Sequence, residues 1–237
     1  MKNSAEVRGQ KAGIVSALPL TSAFFDRDPR KVARALLGKL LIRESGRKIL
    51  AGRFVETEAY LAVGDLAAHS AAGKTSRNSV LFGPPGYAYV YFIYGNHYCL
   101  NVSCGPEGAG GGVLFRAIEP IAGVEEMAEA RGMILSKSQL NEPDGPRKIS
   151  WLRKIGSGPG RMCEALGVTR ERDNGKSFFS ARSDLRIVDD EYRVPRVMVT
   201  TRIGITKSAD QPLRYIIQGN PFVSGTRLLR TAQGVVA

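Results

Sequence analysis

Residues that bind metals or form disulfides are scarce in this chain. Its 237 residues include three cysteines and two histidines, and no two cysteines are separated by only two residues. Structural zinc needs four ligands at a suitable spacing, so a zinc site of that kind is excluded. An odd number of cysteines argues against a disulfide framework, and the low cysteine content is typical of a protein kept in a reducing compartment.

Long apolar segments are also missing. No run approaches the roughly 18 apolar residues that a transmembrane helix requires, and the longest, Tyr87–Tyr94, is short and rich in tyrosine. The first 20 residues are polar and basic and lack the apolar centre of a secretion signal. We therefore interpret residues 1–20 as a flexible basic tail. Residues 21–237 are predicted to form one domain, because a chain of this length can bury its own core.

Acidic residues are fewer than basic residues in this chain. The chain has 34 lysines and arginines against 22 acidic residues, which gives a formal net charge of +12. A compact basic domain attracts polyanions. Nucleic acid is the first candidate partner and an anionic membrane surface is the second.

Strands outnumber helices in the pattern of the sequence. Asp28 and Pro29 are suited to the N-cap and first turn of a helix that ends at Gly38, and helices are also predicted at Gly123–Gly132 and Met162–Leu166. Residues 134–154 are predicted to be an exposed loop. The predicted strands are Leu40–Arg43, Lys48–Ala59, Tyr87–Tyr94, Tyr98–Ser103, Val113–Ile118, Leu185–Val188, Arg196–Thr201 and Arg214–Ile217. Because most neighbours are joined as hairpins, we predict an α+β fold, a single mixed domain on a mainly antiparallel curved sheet with surrounding helices.

Three segments carry little hydrophobic periodicity. Residues 62–85 form a long irregular stretch, which in compact domains is usually functional or disordered, and we favour a functional role. The glycine-rich residues 105–112 lack the spacing of a nucleotide-binding loop and are predicted to be a flexible hairpin loop. Ser157–Arg161 precedes a predicted helix, so it is either a phosphate grip or an ordinary turn.

Two carboxylates stand close together in one predicted strand. Alternation places Phe54, Glu56, Glu58 and Tyr60 on the same strand face. Glutamates also occur on exposed strands, and this remains the simpler interpretation from the pattern alone. His69 follows in the irregular segment, so a polar pocket with an aromatic wall is possible here.

A tyrosine-rich strand ends at a predicted hairpin tip. Tyrosine is common in strands for packing reasons alone. However, Tyr94 directly precedes the predicted Gly95-Asn96 turn, and an aromatic side chain at an exposed tip of a basic protein can wedge between base steps. Aromatic faces also stack on extruded bases. A carboxylate that activates water, aromatic rings, a wedge and positive charge are together what an enzyme acting on a flipped base requires.

The order and spacing of several motifs resemble the alkyladenine (3-methyladenine) DNA glycosylase family, in the single-domain class typified by the mammalian enzyme. The resemblance covers about residues 23–223. The motifs are Phe24-Phe25-Asp26, Ala33–Gly38, Val55–Tyr60, Ala67–Ser70, Tyr89–Tyr91 with Tyr94-Gly95, Asn101–Ser103 and Leu114–Pro120. The chain departs from the family pattern at Asn96-His97, where more apolar residues are usual, and at Lys74, where arginine is common.

The resemblance implies the catalytic groups. Glu58 is the expected general base, which deprotonates a water that attacks the anomeric carbon of a flipped nucleotide. Arg116 is expected to help hold that water and the nearby phosphate, with a further contact from the backbone of Ile203. Glu56 is expected to be a neighbour rather than the base. Simple hydrolysis without strand cleavage, and without a metal or organic cofactor, is implied.

The resemblance also implies how the substrate is bound. A purine is expected to be sandwiched between Tyr60 and His69 on one side and Tyr91 on the other, while Tyr94 fills the vacated stack. Asn101 is expected at the pocket floor, where it would clash with the 2-amino group of guanine. The expected phosphate contacts are Lys74, Arg77 and Arg161.

The implied partner is double-stranded DNA with damaged purines, bound by a monomer without a membrane association. The implied location is the cytoplasm, at the nucleoid, in a bacterium and the nucleus in a eukaryote. Two other classes stay open from the residues alone. One is a catalytically silent DNA- or RNA-binding module, and the other is a formyltransferase-type accessory domain of similar architecture.

Overall fold

The structure, a computed structural model, describes residues 17–225 and 235–236. Its strands are β1 (Leu40–Ser45), β2 (Lys48–Tyr60), β3 (Ala88–Ile93), β4 (His97–Cys104), β5 (Gly111–Ala122), β6 (Leu185–Val188), β7 (Val197–Thr200), β8 (Arg214–Ile217) and β9 (Val235–Val236). Its helices are α1 (Ser22–Phe25), α2 (Pro29–Leu36), α3 (Val124–Ala130), α4 (Lys137–Leu140), α5 (Pro146–Gly156), α6 (Pro159–Ala165) and α7 (Arg170–Asp173), and a 3-10 helix spans Ser79–Phe82.

The strands form one curved antiparallel sheet. Its order is β3-β4-β5-β2-β8-β7-β9, and β1 pairs with both β2 and β6. This architecture confirms the predicted single mixed α+β domain. Residues 1–16 of the predicted tail lie outside the described residues, while Leu20 donates its backbone N–H to the Ile187 carbonyl at 2.9 Å. Among the described helices, none has both the length and the apolar character needed to span a membrane.

Strand β2 lies at the centre of the sheet and carries both candidate carboxylates. It pairs with β1, β5 and β8, and its register with β5 shifts on either side of Glu56. Such bulges bend a strand and re-aim side chains. Phe54 packs in the hydrophobic core with its ring 4.6 Å from that of Phe115, whereas Glu56, Glu58 and Tyr60 belong to one polar network. Of the four residues predicted to share a strand face, Phe54 therefore belongs to the core, and only the three that follow it form the polar part.

Helix α2 begins where the capping residues predict. The Asp28 carboxylate accepts the backbone N–H of Arg30 at 2.8 Å, and Pro29 occupies the first turn. Val32 and Leu36 are fully buried in the core. The hydroxyl of Thr57 donates to the Ala33 carbonyl at 2.9 Å, so this helix is attached directly to β2 beside the carboxylates.

The prediction of an exposed loop at residues 134–154 is wrong, because this segment contains α4 and most of α5. Pro146 occupies the first turn of α5, and the helix buries Trp151 and Ile155. With only two large apolar side chains among many cations, the sequence shows a weak helical periodicity and does not predict this helix. The helix is stabilised by burying those side chains against the rest of the protein.

The glycine-rich stretch is partly strand rather than wholly loop. Gly111 and Gly112 are buried and open β5. A β-carbon on Gly110, whose φ is +85°, would lie 2.8 Å from the Phe82 ring, and one on Gly112 would lie 2.9 Å from Leu81. These glycines are therefore needed for close packing, and the predicted flexibility is wrong at this end of the stretch.

Candidate active site

A cavity of about 320 Å³ opens beside the central strands. This volume falls at the lower end of the roughly 300–1,000 Å³ typical of small-molecule sites. The predicted site residues that line it are Tyr60, His69, Tyr91, Tyr94, Asn101, Arg116 and Ile203. The fold thus brings together residues from β2, β3, β4 and β5, from the β3–β4 turn and from two longer loops.

Glu58 is fully buried and does not line the cavity itself, but it is hydrogen-bonded to residues that do. Three lining residues donate hydrogen bonds to its carboxylate. The Ile203 backbone N–H lies 2.8 Å from Oε1, the Tyr60 hydroxyl 3.1 Å from Oε2 and an Arg116 guanidinium nitrogen 3.3 Å from Oε2. A carboxylate fixed by three donors at the edge of a cavity is held in a single orientation.

Burial controls the protonation of this group. Removal from water raises the pKa of Glu58 above its ordinary value, against the opposing effects of the Arg116 charge and the Ile203 N–H. Burial and then the neighbouring carboxylate also raise the pKa of Tyr60, so its hydroxyl stays protonated and donates. A carboxyl whose pKa is raised by desolvation in a cleft is suited to accept a proton near neutral pH.

Glu56 differs from Glu58 although both are fully buried. Its Oε1 accepts from Arg214 at 2.7 Å and from Arg116 at 3.0 Å, and its Oε2 accepts the backbone N–H of Ser224 at 2.7 Å. Neither carboxylate lines the cavity itself, but all three donors to Glu58 do, whereas of these donors to Glu56 only Arg116 does. With two guanidinium partners and a backbone donor, Glu56 acts as a structural anion that fixes Arg116.

The aromatic wall is tightly packed. The rings of His69 and Tyr91 are 4.4 Å apart, and His69 Nδ1 lies 2.8 Å from the Tyr89 hydroxyl. Desolvation by this packing, followed by the charge of Arg77, lowers the pKa of His69, so its ring is neutral at pH 7. A base stacked between two rings needs about 7 Å between them, since each stacking contact takes about 3.5 Å. The sandwich of a purine between Tyr60 and His69 on one side and Tyr91 on the other stays a prediction, and it requires the rings of His69 and Tyr91 to separate.

The hairpin between β3 and β4 carries Tyr94 at its tip. The turn comprises residues 94–96, so it begins one residue earlier than predicted. Tyr94 is 79% exposed and has a φ of +55°, a left-handed conformation that is strained for a bulky residue. Strain at an exposed aromatic residue beside a cavity is typical of a functional position.

Asn101 lies on β4, directly opposite Tyr89 on β3 and Leu114 on β5. Its side-chain N–H donates to the Tyr89 carbonyl at 3.2 Å. The amide is therefore fixed at the cavity wall, and its role in excluding bulkier bases stays a prediction.

The three predicted phosphate contacts come from two segments of the chain, the loop after β2 and helix α6. Arg77 lies near the cavity, with its guanidinium carbon 6.0 Å from the centre of the Tyr91 ring. Lys74 lies on an exposed part of the same loop, and Arg161 is exposed on α6. Their roles as phosphate contacts stay predictions.

Comparison with known proteins identifies the family. A family model for methylpurine-DNA glycosylase (MPG) matches residues 23–221. The chain belongs to the methylpurine-DNA glycosylase family. Members of this family are DNA glycosylases, hydrolases of N-glycosyl bonds that repair alkylated DNA bases.

Individual relatives of this glycosylase cover nearly the whole chain. A protein from Koribacter versatilis is 64% identical over 92% of this chain and 99% of its own length. Proteins from Methanoculleus marisnigri and Burkholderia cenocepacia are each 44% identical, over 87% and 86% of this chain and over 99% and 89% of their own lengths. All three are named "putative 3-methyladenine DNA glycosylase".

Sequence reasoning missed several residues that organise the glycosylase site. The side chain of Asn78 donates to the carbonyls of His69 and Gly73, at 2.8 and 3.0 Å, and so shapes the loop that carries His69. Arg214 and Ser224 bind Glu56 from more than 150 residues away in sequence. The excess of arginine was the only feature of the sequence that pointed to Arg214, and no feature pointed to Ser224. Contacts between residues so far apart in the chain leave no local sequence pattern.

Proposed function

We propose that the chain is a monofunctional DNA glycosylase that flips alkylated or deaminated purines out of duplex DNA and hydrolyses the N-glycosidic bond, which starts base excision repair. The observation that supports this most directly is the buried Glu58 carboxylate, which accepts hydrogen bonds from Tyr60, Arg116 and Ile203, three residues that line a cavity of suitable size. The damaged duplex is the proposed partner, bound by a monomer at the nucleoid or in the nucleus. The single-domain mammalian-type class is proposed on the sequence motifs alone.

In the proposed reaction, water attacks the anomeric carbon of the flipped nucleotide. The bond from that carbon to the purine nitrogen breaks, and the purine leaves with the bonding electrons. Glu58 accepts the water proton, and its negative charge stabilises oxocarbenium character at the sugar, as carboxylates do in glycoside hydrolysis. A cationic alkylated purine leaves as a neutral base, whereas hypoxanthine needs a proton at a ring nitrogen.

The first test is incubation of the protein with duplex DNA containing one damaged purine, followed by alkali. We expect an abasic site that alkali cleaves, together with free base in solution. The same duplex without the lesion is the control. Binding without release of base would instead identify a catalytically silent DNA-binding module.

The rate of base release is expected to fall at acid pH earlier than an exposed glutamate would require. Glu58 must be ionised to accept a proton, and burial raises its pKa. Activity is therefore lost as the pH falls through this raised value and is retained above it. Single-turnover rates across a pH series would check this, and an acid limb at or below the ordinary glutamate pKa would contradict it.

Asn101 is proposed to exclude normal guanine, because its amide conflicts with the exocyclic 2-amino group. Adenine and hypoxanthine carry hydrogen at that position. We expect Asn101→Ser to increase excision of guanine-derived bases while hypoxanthine release changes less. The measurement is the ratio of the two single-turnover rates in mutant and parent. A parallel fall for all substrates, with lower thermal stability, would mean that Asn101 only satisfies the Tyr89 carbonyl.

Binding to undamaged duplex is expected to weaken steeply with salt. Each phosphate neutralised by Lys74, Arg77 or Arg161 adds about 0.9 to the slope of log affinity against log salt. Arg161→Gln is therefore expected to lower the slope by about one. The matched control is Arg47→Gln, because Arg47 is exposed in the β1–β2 turn at the far end of β2 from Tyr60. Equal slopes for parent and Arg161→Gln would remove Arg161 from the footprint.

A further inference from the structure

Another buried arginine, Arg202, lies against the ring of Tyr60 and has no part in the proposed chemistry. Arg202 is paired in a fork with Asp65, at 2.6 and 2.7 Å, and both side chains are fully buried. The same guanidinium donates to the Ala59 carbonyl at 3.0 Å. A bidentate pair of this kind fixes geometry as well as charge.

This arginine contacts two of the groups that hold the catalytic carboxylate. Its guanidinium carbon lies 4.5 Å from the centre of the Tyr60 ring, so it covers one face of that ring. It also directly precedes Ile203, whose backbone N–H donates to Glu58. Arg202 is thus connected to two of the three donors on the carboxylate, and only Arg116 is held independently, by Glu56.

The loop that carries Asp65 is fixed by the same carboxylate. Asp65 accepts the backbone N–H groups of Leu61 and Ala67, at 3.0 and 3.1 Å. Ala67 lines the cavity, and His69 follows two residues later. The ion pair therefore connects the loop that contains His69 to the loop that contains Ile203.

We propose that Arg202 and Asp65 are positioning residues that hold Tyr60 and the Ile203 N–H on Glu58, and that without them the carboxylate is not oriented for catalysis. This inference rests on the proposed function of Glu58. Burying a charged pair gives little net stability compared with apolar packing. A role in geometry explains why Arg202 packs on Tyr60 and directly precedes Ile203, two of the residues that hold the catalytic carboxylate.

The chain contains a matched control for this arrangement. Arg53 forms a bidentate pair with Asp190, at 2.8 and 2.7 Å, donates to the Gly38 carbonyl and covers the ring of Tyr192 at 4.1 Å. The contacts are of the same kind as at Arg202, in a pair that is less completely buried, and none of these residues lines the cavity or contacts Glu58. A purely structural effect of losing such a pair is expected in both places.

The experiment compares Arg202→Met with Arg53→Met, using methylated duplex DNA and enzyme in excess. We expect Arg202→Met to lower the single-turnover rate of methylpurine release by about 10²-fold, the size of effect that follows from misplacing a catalytic group by about 1 Å. The acid limb of its pH profile should move to higher pH, because the Ile203 and Tyr60 donors lower the pKa of Glu58. Affinity for undamaged duplex should not change, because Arg202 is buried. Arg53→Met should keep the parental rate and acid limb.

A second pair of variants tests the proposal in case the Arg202 variant does not fold. If Arg202→Met does not fold, Asp65→Asn is compared with Asp190→Asn, and the same shift in rate and acid limb is expected only for Asp65→Asn. The inference is overturned if the Arg202 or Asp65 variant keeps the parental rate and acid limb, or if it changes only as much as its control. Failure of the parent protein to release methylpurines would contradict the proposed function instead.

Discussion

Replacing Glu58 with glutamine is expected to abolish base release and to leave the affinity for duplex DNA unchanged. Glutamine keeps the shape and still accepts the Ile203 N–H, but it can neither take a proton from water nor stabilise positive charge at the sugar. The loss of a general base alone costs about 10²–10⁴-fold in rate. Binding rests on phosphate contacts and stacking, which the substitution does not touch. Single-turnover release and equilibrium binding, measured on the same lesion duplex, separate the two effects.

The same substitution is expected to maintain or raise thermal stability. Because the pKa of Glu58 is raised on folding, the folded protein binds a proton at this position more tightly than the unfolded chain does. The ionised carboxylate therefore lowers stability at neutral pH, and this cost is relieved as the pH falls through the raised pKa. Glutamine is neutral at all pH values and removes the cost. Loss of activity together with a lower Tm would suggest misfolding rather than a missing base.

Glu56→Gln provides the contrast. This change removes the anion that faces Arg116 and Arg214, so the buried Arg214 loses its carboxylate partner, Arg116 keeps only Glu58, and the Tm falls. Below the Tm we expect far more base release than from Glu58→Gln. An inactive but folded Glu56 variant, together with an active Glu58 variant, would reverse the assignment of the base.

Tyr94→Ala is expected to slow excision of stably paired lesions by roughly 30- to 100-fold. The ring compensates for base stacking lost on flipping, which is worth a few kcal/mol per step, and each 1.4 kcal/mol corresponds to a factor of ten. Lesions in bulges or weak pairs need less compensation and should lose least. The measurement is the single-turnover rate for one lesion placed in a stable pair and in a bulge.

Three further substitutions test whether the ring itself acts as the wedge. Tyr94→Phe keeps the ring and should retain the parental rate. Tyr94→Gly removes both the ring and the left-handed backbone strain, so it should be as slow as Tyr94→Ala but more stable. Phe92→Ala removes another exposed aromatic side chain from the same hairpin, one that packs on Tyr98 and does not line the cavity. Equal losses for stable and bulged lesions, or an equal loss in the Phe92 variant, would exclude a wedge role.

Local signals in the sequence predicted those parts of the fold that are stabilised locally. Helix α2 follows from the cap at Asp28 and the proline after it, and the β3–β4 hairpin follows from alternation around a glycine turn. Helix α5 could not be predicted in this way, because its stability comes from burying Trp151 and Ile155 against distant elements.

The sequence predicted residues that meet at the candidate site, but it did not predict the ion pairs and hydrogen bonds that hold them there. Spacing placed Glu56 and Glu58 on one strand face, and the family motif favoured Glu58 as the base. What distinguishes the two carboxylates physically is the pairing of Glu56 with Arg214 and Ser224, which come from the other end of the chain. Asp65 and Arg202 are likewise 137 residues apart in sequence. Contacts over such distances follow from the folded topology and leave no periodic pattern.

The position of Arg116 between two carboxylates has a consequence for how this protein can change during evolution. One guanidinium nitrogen holds Glu56 and another holds Glu58, so a single side chain serves both the buried core and the reaction. A lineage released from selection for catalysis can lose Glu58 and remain folded, because that loss relieves a buried charge. Loss of Arg116 would remove a counter-ion from Glu56 and impair folding as well. Inactive descendants that remain folded should therefore keep the arginine and lack the glutamate.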